Sequence, residues 1–126
     1  MRPIVYDTGA LLAAERGDVE TVGRHLLIVE ASQKPVVPAV VLAQAWRGGP
    51  QPRLSKLLRT CYVWPDDEAA ARRAGATCAR AGTRDVVDAL VVVTAVSLGA
   101  AIVTSDPDDV AHLLDVIGAR LPVWVV

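Results

Sequence analysis

Short runs of β-branched and other apolar residues alternate along the chain with longer segments in which apolar residues recur at helical spacing. This alternation is typical of strands and crossover helices in a parallel sheet. Strands are predicted at 3–6, 35–37, 62–64, 101–104 and 123–126. Helices are predicted between them at 8–16, 19–32, 39–47, 52–59, 68–80, 85–98 and 108–117. The pattern therefore predicts an α/β fold.

The helix predicted from Asp85 is apolar nearly all round (VVDALVVVTAVSL), so we expect it to be the most buried helix. It begins the one run, 89–103, that resembles a membrane span. That run is shorter than about 20 residues, contains Gly99 and follows Asp88. A buried helix followed by a strand explains it better.

Composition narrows the class of protein. The chain has 126 residues, of which 52% are apolar and 21% charged, so we expect one globular domain over 1–126. A net charge of −1 argues against nucleic acid wrapping the whole surface, while leaving a local basic patch open. Cys61 and Cys78 match neither a metal-binding spacing nor a disulfide framework, and the N-terminal residues contain no secretion signal, so a cytoplasmic location is expected.

Three carboxylates occupy comparable positions relative to the predicted strands. Asp7 ends the first strand (IVYDTG), Asp106 ends another (AIVTSDPDD), and Asp88 lies in the first turn of the buried helix (RDVVDAL). Ligands of open parallel sheets bind at the carboxyl ends of the strands, and the helix carrying Asp88 runs antiparallel to the strand that follows it. We therefore expect the three acids to converge at one edge of the sheet.

Helix capping is the alternative explanation for several of these acids. Asp7 and Asp106 both have the sequence context of N-cap residues, and for either one alone the cap is the simpler interpretation. Asp85 is also a good N-cap, and capping and a role in the site remain equally open for it. Asp88 differs, because it falls about three positions inside a helix with almost no other polar side chain.

Three carboxylates at one edge require a compensating charge. Two of them about 4 Å apart repel by roughly 4 kcal/mol at an effective dielectric of about 20, and no Lys or Arg is adjacent to Asp7 or Asp106 in the sequence. Either protons or a cation must neutralise them. An all-oxygen site suits Mg²⁺ or Mn²⁺. Such an ion lowers the pKa of bound water and holds a phosphate oxygen, which favours phosphodiester hydrolysis.

Four motifs in order resemble those of PIN-domain proteins, most closely the VapC-type toxins of bacterial toxin–antitoxin systems. They are DTGALLA, PAVVLAQ, VVDALVVVTA and TSDPDDV, and together they extend over essentially the whole chain. From Asp7 to Gln44, Asp88 and Asp106 the successive spacings are 37, 44 and 18 residues. The resemblance implies a PIN-like fold, a three-layer sandwich with a central parallel β-sheet flanked by helices.

The resemblance also implies roles for individual residues. Asp7, Asp88 and Asp106 match three of the family's four metal-binding acids, and Thr104 matches the hydroxyl beside the last of them. Asp85 and Asp109 would orient waters or neighbouring groups. The implied activity is that of a Mg²⁺-dependent ribonuclease, in which a metal-activated water attacks RNA. The family also implies a homodimer and a cognate VapB-like antitoxin that covers the active-site groove.

Gln44 departs from the family, which normally has Glu at this position. An amide has no charge and cannot act as a general base, although its oxygen can ligate a metal ion or its water. We therefore predict weaker Mg²⁺ affinity, with one well-held ion in place of two. Gln44 follows Val40 and Val41 on an apolar helix flank, where an unpaired amide would cost about 2 kcal/mol or more. The acidic edge is its expected partner.

A local basic stretch follows Gln44 and is a candidate RNA-binding surface. Trp46 and Arg47 would stack a base and contact phosphate, and the stretch continues through Arg53, Lys56 and Arg59. The alternative is a solvated helix face, with Trp46 packed against the core or a dimer partner. Arg84, just before Asp85, would contact phosphate or pair with the acids, and both interpretations remain open.

Two other functions compete with a ribonuclease. DTG and the late SDPDD faintly resemble aspartate-nucleophile phosphatases of the haloacid dehalogenase type, but Gly9 stands where that family needs a second acid. The more serious alternative is a degenerate PIN domain that binds RNA or an antitoxin without cutting, because Gln44 replaces the usual Glu.

Overall fold

A computed structural model describes residues 2–126, whose strands form one parallel sheet. The strands are β1 (Ile4–Tyr6), β2 (Val36–Pro38), β3 (Tyr62–Trp64), β4 (Ala101–Thr104) and β5 (Val123–Val125). Their spatial order is β3-β2-β1-β4-β5, and each neighbouring pair is parallel. The predicted parallel sheet is confirmed, with strand ends that differ from the prediction by at most one residue.

Helices flank this sheet and complete the predicted three-layer arrangement. They are α1 (Thr8–Glu15), α2 (Val19–Glu30), α3 (Ala39–Ala45), α4 (Pro52–Leu58), α5 (Glu68–Ala81), α6 (Val86–Leu98) and α7 (Pro107–Ile117). The predictions for α2 and α3 were each two residues too long. In α3 the cause is the extended backbone of Trp46 (ψ 133°), after which Gly48 and Gly49 have positive φ.

The central strands and α6 form the interior. All residues of β1 and β4 are buried, as expected for central strands covered on both faces. Helix α6 is buried continuously from Asp88 to Ala95, which confirms the prediction from its apolar sequence. No helix within residues 2–126 combines the length and apolar character that crossing a bilayer requires.

A partly buried chain of hydrogen bonds, not anticipated from the sequence, joins β1 to α2 and to the end of α4. The Thr60 hydroxyl donates to the carbonyl of Leu57 (2.8 Å), so it accepts from His25 Nε2 (2.7 Å). The Nδ1 atom of His25 then accepts from the Tyr6 hydroxyl (2.9 Å). Burial lowers the pKa of His25, which favours this neutral, fully paired arrangement.

Candidate metal centre

The candidate site lies where the chain connections leave the sheet in opposite directions. Strands β1 and β4 are adjacent at the centre of the sheet. The chain leads from β1 to β2 on one side of this pair, and from β4 to β5 on the other side. Such a reversal opens a crevice at the carboxyl ends of the strands. Asp7 directly follows β1, and its N–H donates to Val103 of β4 (3.0 Å), so it lies at this crevice.

The structure brings the three predicted acids together. One carboxylate oxygen from each of Asp7, Asp88 and Asp106 lies within 4.8 Å of the others. Asp7 and Asp88 are buried, at 2% and 7% exposure, whereas Asp106 is exposed. The group is therefore anchored in the interior and open to solvent on one side.

Side-chain hydrogen bonds distinguish capping from other roles. Asp106 occupies the N-cap position of α7, but its side chain makes no capping bond. Asp7 caps α1 through a 3.3 Å bond from the N–H of Ala10, and it also belongs to the acidic group. Asp85 caps α6 by accepting from the N–H of Asp88 (3.1 Å). Capping therefore does not explain Asp106, and it explains Asp7 only in part.

Thr104, at the end of β4, links two of the acids. Its hydroxyl donates to Asp7 Oδ2 and accepts from the backbone N–H of Asp106 (2.8 Å). The side chain is fully buried. The predicted hydroxyl beside the last acid is therefore present, and it orients the Asp7 carboxylate as well as the loop that carries Asp106.

Gly9 allows the first turn of α1 to approach the loop that follows β4, a role that sequence reasoning missed. A Cβ atom on Gly9 would lie 2.5 Å from Ser105 Cβ, closer than side chains tolerate, and 3.1 Å from its backbone nitrogen, a tight contact. The DTG motif and the residue preceding Asp106 are thus in direct contact. The DTG signal was visible in the sequence, but its packing partner was not.

Burial and mutual repulsion raise the pKa values of the acids. The pKa of Asp88 rises to about 7, first through burial, then through the charge of Asp85 and a hydrogen bond with it, and further through Asp7 and Asp106. Burial is also the largest cause of the raised pKa of Asp7, which hydrogen bonds from Thr104 and Ala10 partly oppose. The metal-free site therefore favours taking up protons.

A cation would relieve this repulsion, and the donor set fits one. Within residues 2–126 the one ion pair joins Arg72 to Glu68, both exposed on α5, so no Lys or Arg pairs with the acids. Three carboxylates open to solvent on one side can supply oxygen ligands and leave room for water or substrate. This donor set fits Mg²⁺ or Mn²⁺.

The structure places Gln44 beside Thr8, which follows Asp7, in a different environment from the one predicted. Its side chain is exposed, so the expected cost of a buried amide does not arise. Its Oε1 atom accepts a hydrogen bond from the Thr8 hydroxyl (2.5 Å). The partner present is therefore a hydroxyl next to the acidic group. The expectation of a buried amide was wrong, because Val41 on the preceding turn is buried but Gln44 itself is exposed.

The remaining predicted residues lie on the surface. Arg47 folds back on α3, donating to the carbonyls of Ala43 (3.3 Å) and Trp46 (2.7 Å). Trp46 is 40% exposed. Arg84 and Asp109 are exposed as well. Neither side chain has a hydrogen-bond or ion-pair partner in the described part of the chain. The structure therefore leaves the side chains of Trp46, Arg84 and Asp109 available to solvent or to a ligand.

Sequence comparison defines the class of protein to which this fold and site belong. The profile of the PIN domain matches residues 4–113, which include the three acids and most of the sheet. The chain therefore belongs to the PIN-domain family. No curated protein sequence matches it.

Solved structures with the same fold extend over almost the whole chain. One similar structure is that of VapBC2 from Rickettsia felis bound to a DNA fragment from the VapBC2 promoter. It has a TM-score of 0.69 at 13% identity, over 98% of both chains. DNA-bound VapBC from Salmonella typhimurium has a TM-score of 0.68 at 19% identity, over 98% of this chain and 99% of the other. PAE2754 from Pyrobaculum aerophilum has a TM-score of 0.66 at 17% identity, over 97% and 83%. At these identities the similarity establishes the shared fold.

Proposed function

We propose that the chain is a VapC-type endoribonuclease that hydrolyses RNA phosphodiesters with Mg²⁺, or with Mn²⁺ in its place. The observation that carries the proposal is the group of Asp7, Asp88 and Asp106. One carboxylate oxygen of each lies within 4.8 Å of the others, and no Lys or Arg among residues 2–126 forms an ion pair with them. An ion bound there would supply an activated water and hold a phosphate oxygen.

The surrounding residues have separate tasks in this proposal. Thr104 holds the Asp7 carboxylate in place through its hydroxyl. Asp85 keeps the first turn of α6 formed around Asp88, and its carboxylate together with that of Asp109 would orient waters at the solvent side. Because Asp7 and Asp88 are buried, their ligand oxygens need little reorganisation when the ion binds.

RNA would approach from the open side of the group, where Asp106 is exposed. Arg84 lies immediately before the cap of α6 and has a side chain free to contact phosphate. Trp46 and Arg47 follow α3 and offer an aromatic face and a guanidinium group. Stacking on an aromatic side chain and contacts to phosphate are the usual means of holding single-stranded RNA.

A VapB-like antitoxin is the proposed protein partner, since two of the structural relatives are VapBC structures. A groove of about 600 Å³ between α1, α2 and α4 supports this proposal. On α2, Val19, Leu26 and Leu27 are 84%, 56% and 68% exposed, an unusual display of apolar surface for an unpartnered helix. Arg53 and Lys56 at the groove suit an apolar segment with acidic flanks.

A homodimer is also proposed, and light scattering of the purified chain tests it.

A cleavage assay on mixed RNA with Mg²⁺ or Mn²⁺ tests the proposed activity. We expect the wild type to cleave and Asp7→Ala and Asp88→Ala to lose cleavage. Asp67→Ala is the matched control, because Asp67 caps α5 by a 2.8 Å bond from Ala70 and does not belong to the acidic group. Persistent cleavage in both site variants would rule out the proposed site.

A non-cutting PIN domain that binds RNA or an antitoxin is the second candidate, and Gln44 favours it. The uncharged amide leaves three carboxylates where the family normally has four, so we predict weak Mg²⁺ binding with one well-held ion. Gln44→Glu should strengthen Mg²⁺ binding, measured by titration calorimetry. An unchanged affinity would contradict this explanation of Gln44, and absence of cleavage by the wild type with either metal would favour the binding function.

A further inference from the structure

We propose that Gln44 acts as a hydrogen-bond donor to the substrate: its amide nitrogen binds a phosphate oxygen of the RNA while Thr8 holds its amide oxygen. The inference rests on the proposed ribonuclease function and assigns Gln44 a role other than ligating the metal. Thr8 becomes a positioning residue, since it acts through Gln44.

The first argument is the orientation of the amide. The oxygen atoms of Thr8 and Gln44 are 2.5 Å apart. The Thr8 hydroxyl donates to the amide oxygen in this short contact, and an N–H···O bond, usually about 2.7–3.2 Å long, would fit it less well. The amide oxygen therefore faces Thr8, and the NH₂ group, which has no hydrogen-bond partner among residues 2–126, is directed elsewhere on an exposed side chain.

The second argument is that side chains from outside α3 fix its position. Pro38 at the N-cap offers no capping side chain, and Asp66 from the loop after β3 accepts from the N–H of Val40 instead (2.8 Å). At the other end, Gln51 Nε2 donates to the carbonyl of Ala45 (2.9 Å). Because both ends of the short helix are held, the backbone of Gln44 has a defined place beside Thr8.

The third argument is electrostatic. Three carboxylates repel an approaching phosphate, and a fourth at position 44 would increase the repulsion. An amide adds no negative charge and offers two N–H donors, and phosphate oxygens are strong acceptors. Compared with Glu, Gln44 thus exchanges metal affinity for affinity towards the RNA backbone.

The experiment measures binding without turnover. A fluorescein-labelled single-stranded RNA is titrated with protein in saturating Ca²⁺, and the recovered RNA is checked to be intact. We expect about tenfold weaker RNA binding for Gln44→Ala, which corresponds to the loss of one hydrogen bond to a charged group. Gln44→Glu should weaken RNA binding at least as much while strengthening Mg²⁺ binding. Gln33→Ala is the matched control, because Gln33 precedes β2 and so lies towards the amino ends of the strands, away from the site. This variant should bind RNA as the wild type does.

Variants of Thr8 test the positioning role. Thr8→Val removes the hydroxyl and should weaken RNA binding about threefold, whereas Thr8→Ser should restore wild-type affinity, a rescue that loss of packing alone would not produce. Wild-type RNA affinity in Gln44→Ala would overturn the inference while leaving the ribonuclease proposal standing. The inference would also be overturned if Gln44→Ala lost Mg²⁺ affinity and kept its RNA affinity. If the wild type binds neither RNA nor Mg²⁺, both proposals fail together.

Discussion

Asp88 should make the metal-free protein less stable as the pH rises. Its folded-state pKa of about 7 lies above its ordinary value of 3.8, so the folded chain binds the proton more tightly than the unfolded chain. The stability that Asp88 contributes is therefore fully present below about pH 4 and is lost as the pH rises towards 7. The full shift corresponds to about 4 kcal/mol. Because water screens the charges of the exposed Asp85 and Asp106, we expect about half of it, roughly 2 kcal/mol.

Urea unfolding in a chelator at about pH 4 and about pH 8 measures this effect, with Asp88→Asn as the neutral comparison at both values. The wild type should lose roughly 2 kcal/mol relative to Asp88→Asn over this range, and Mg²⁺ should restore the loss at the higher pH. Subtracting the variant cancels the contributions of titrating groups that do not interact with Asp88. A wild-type–variant difference that does not change with pH would refute the reasoning.

Three further predictions concern residues that support the site and the interior. Gly9→Ala should destabilise the protein by about 1–3 kcal/mol and reduce the Mg²⁺-induced rise in Tm, because the new Cβ meets Ser105, and Ser105→Gly in the same chain should restore most of both. Thr104→Val should lower the free energy of unfolding by about 1–3 kcal/mol, while Thr104→Ser keeps it. Tyr6→Phe should lower the free energy of unfolding by a similar amount, because His25 Nδ1 loses its hydrogen-bond donor. In the wild type, lowering the pH below about 6.5 should lower the free energy of unfolding, because the folded chain resists protonation of His25. Unchanged unfolding midpoints would contradict each of these predictions.

The positions of the strands and of the acids could be predicted because each depends on regularities within a short segment. Apolar runs located every strand to within one residue, and the apolar sequence of α6 identified the most buried helix. In a parallel sheet, a residue at the carboxyl end of one strand shares an edge with the carboxyl ends of the others. Asp7, Asp88 and Asp106 were therefore assigned to one site before any contact was known.

The same reasoning could not assign the capping acids. Asp85 and Asp106 have equally good N-cap contexts, yet Asp85 bonds to the N–H of Asp88 and Asp106 makes no capping bond. Side-chain rotation decides between these outcomes, and in the case of Asp106 the loop is held by Thr104. Local sequence carries no information on that choice.

By itself, the sequence determined the fold class, the order of the elements and the three acids that meet, because periodicity and the rules of parallel sheets act on segments of a few residues. Only the tertiary structure decided that Gly9 packs on Ser105, that Tyr6 bonds to His25, and that Gln44 is exposed beside Thr8. These pairs are separated in the chain by 19 to 96 residues, so their contacts depend on how helices and strands pack. The hydrophobic pattern determines that elements are buried, but the packing determines which side chains meet.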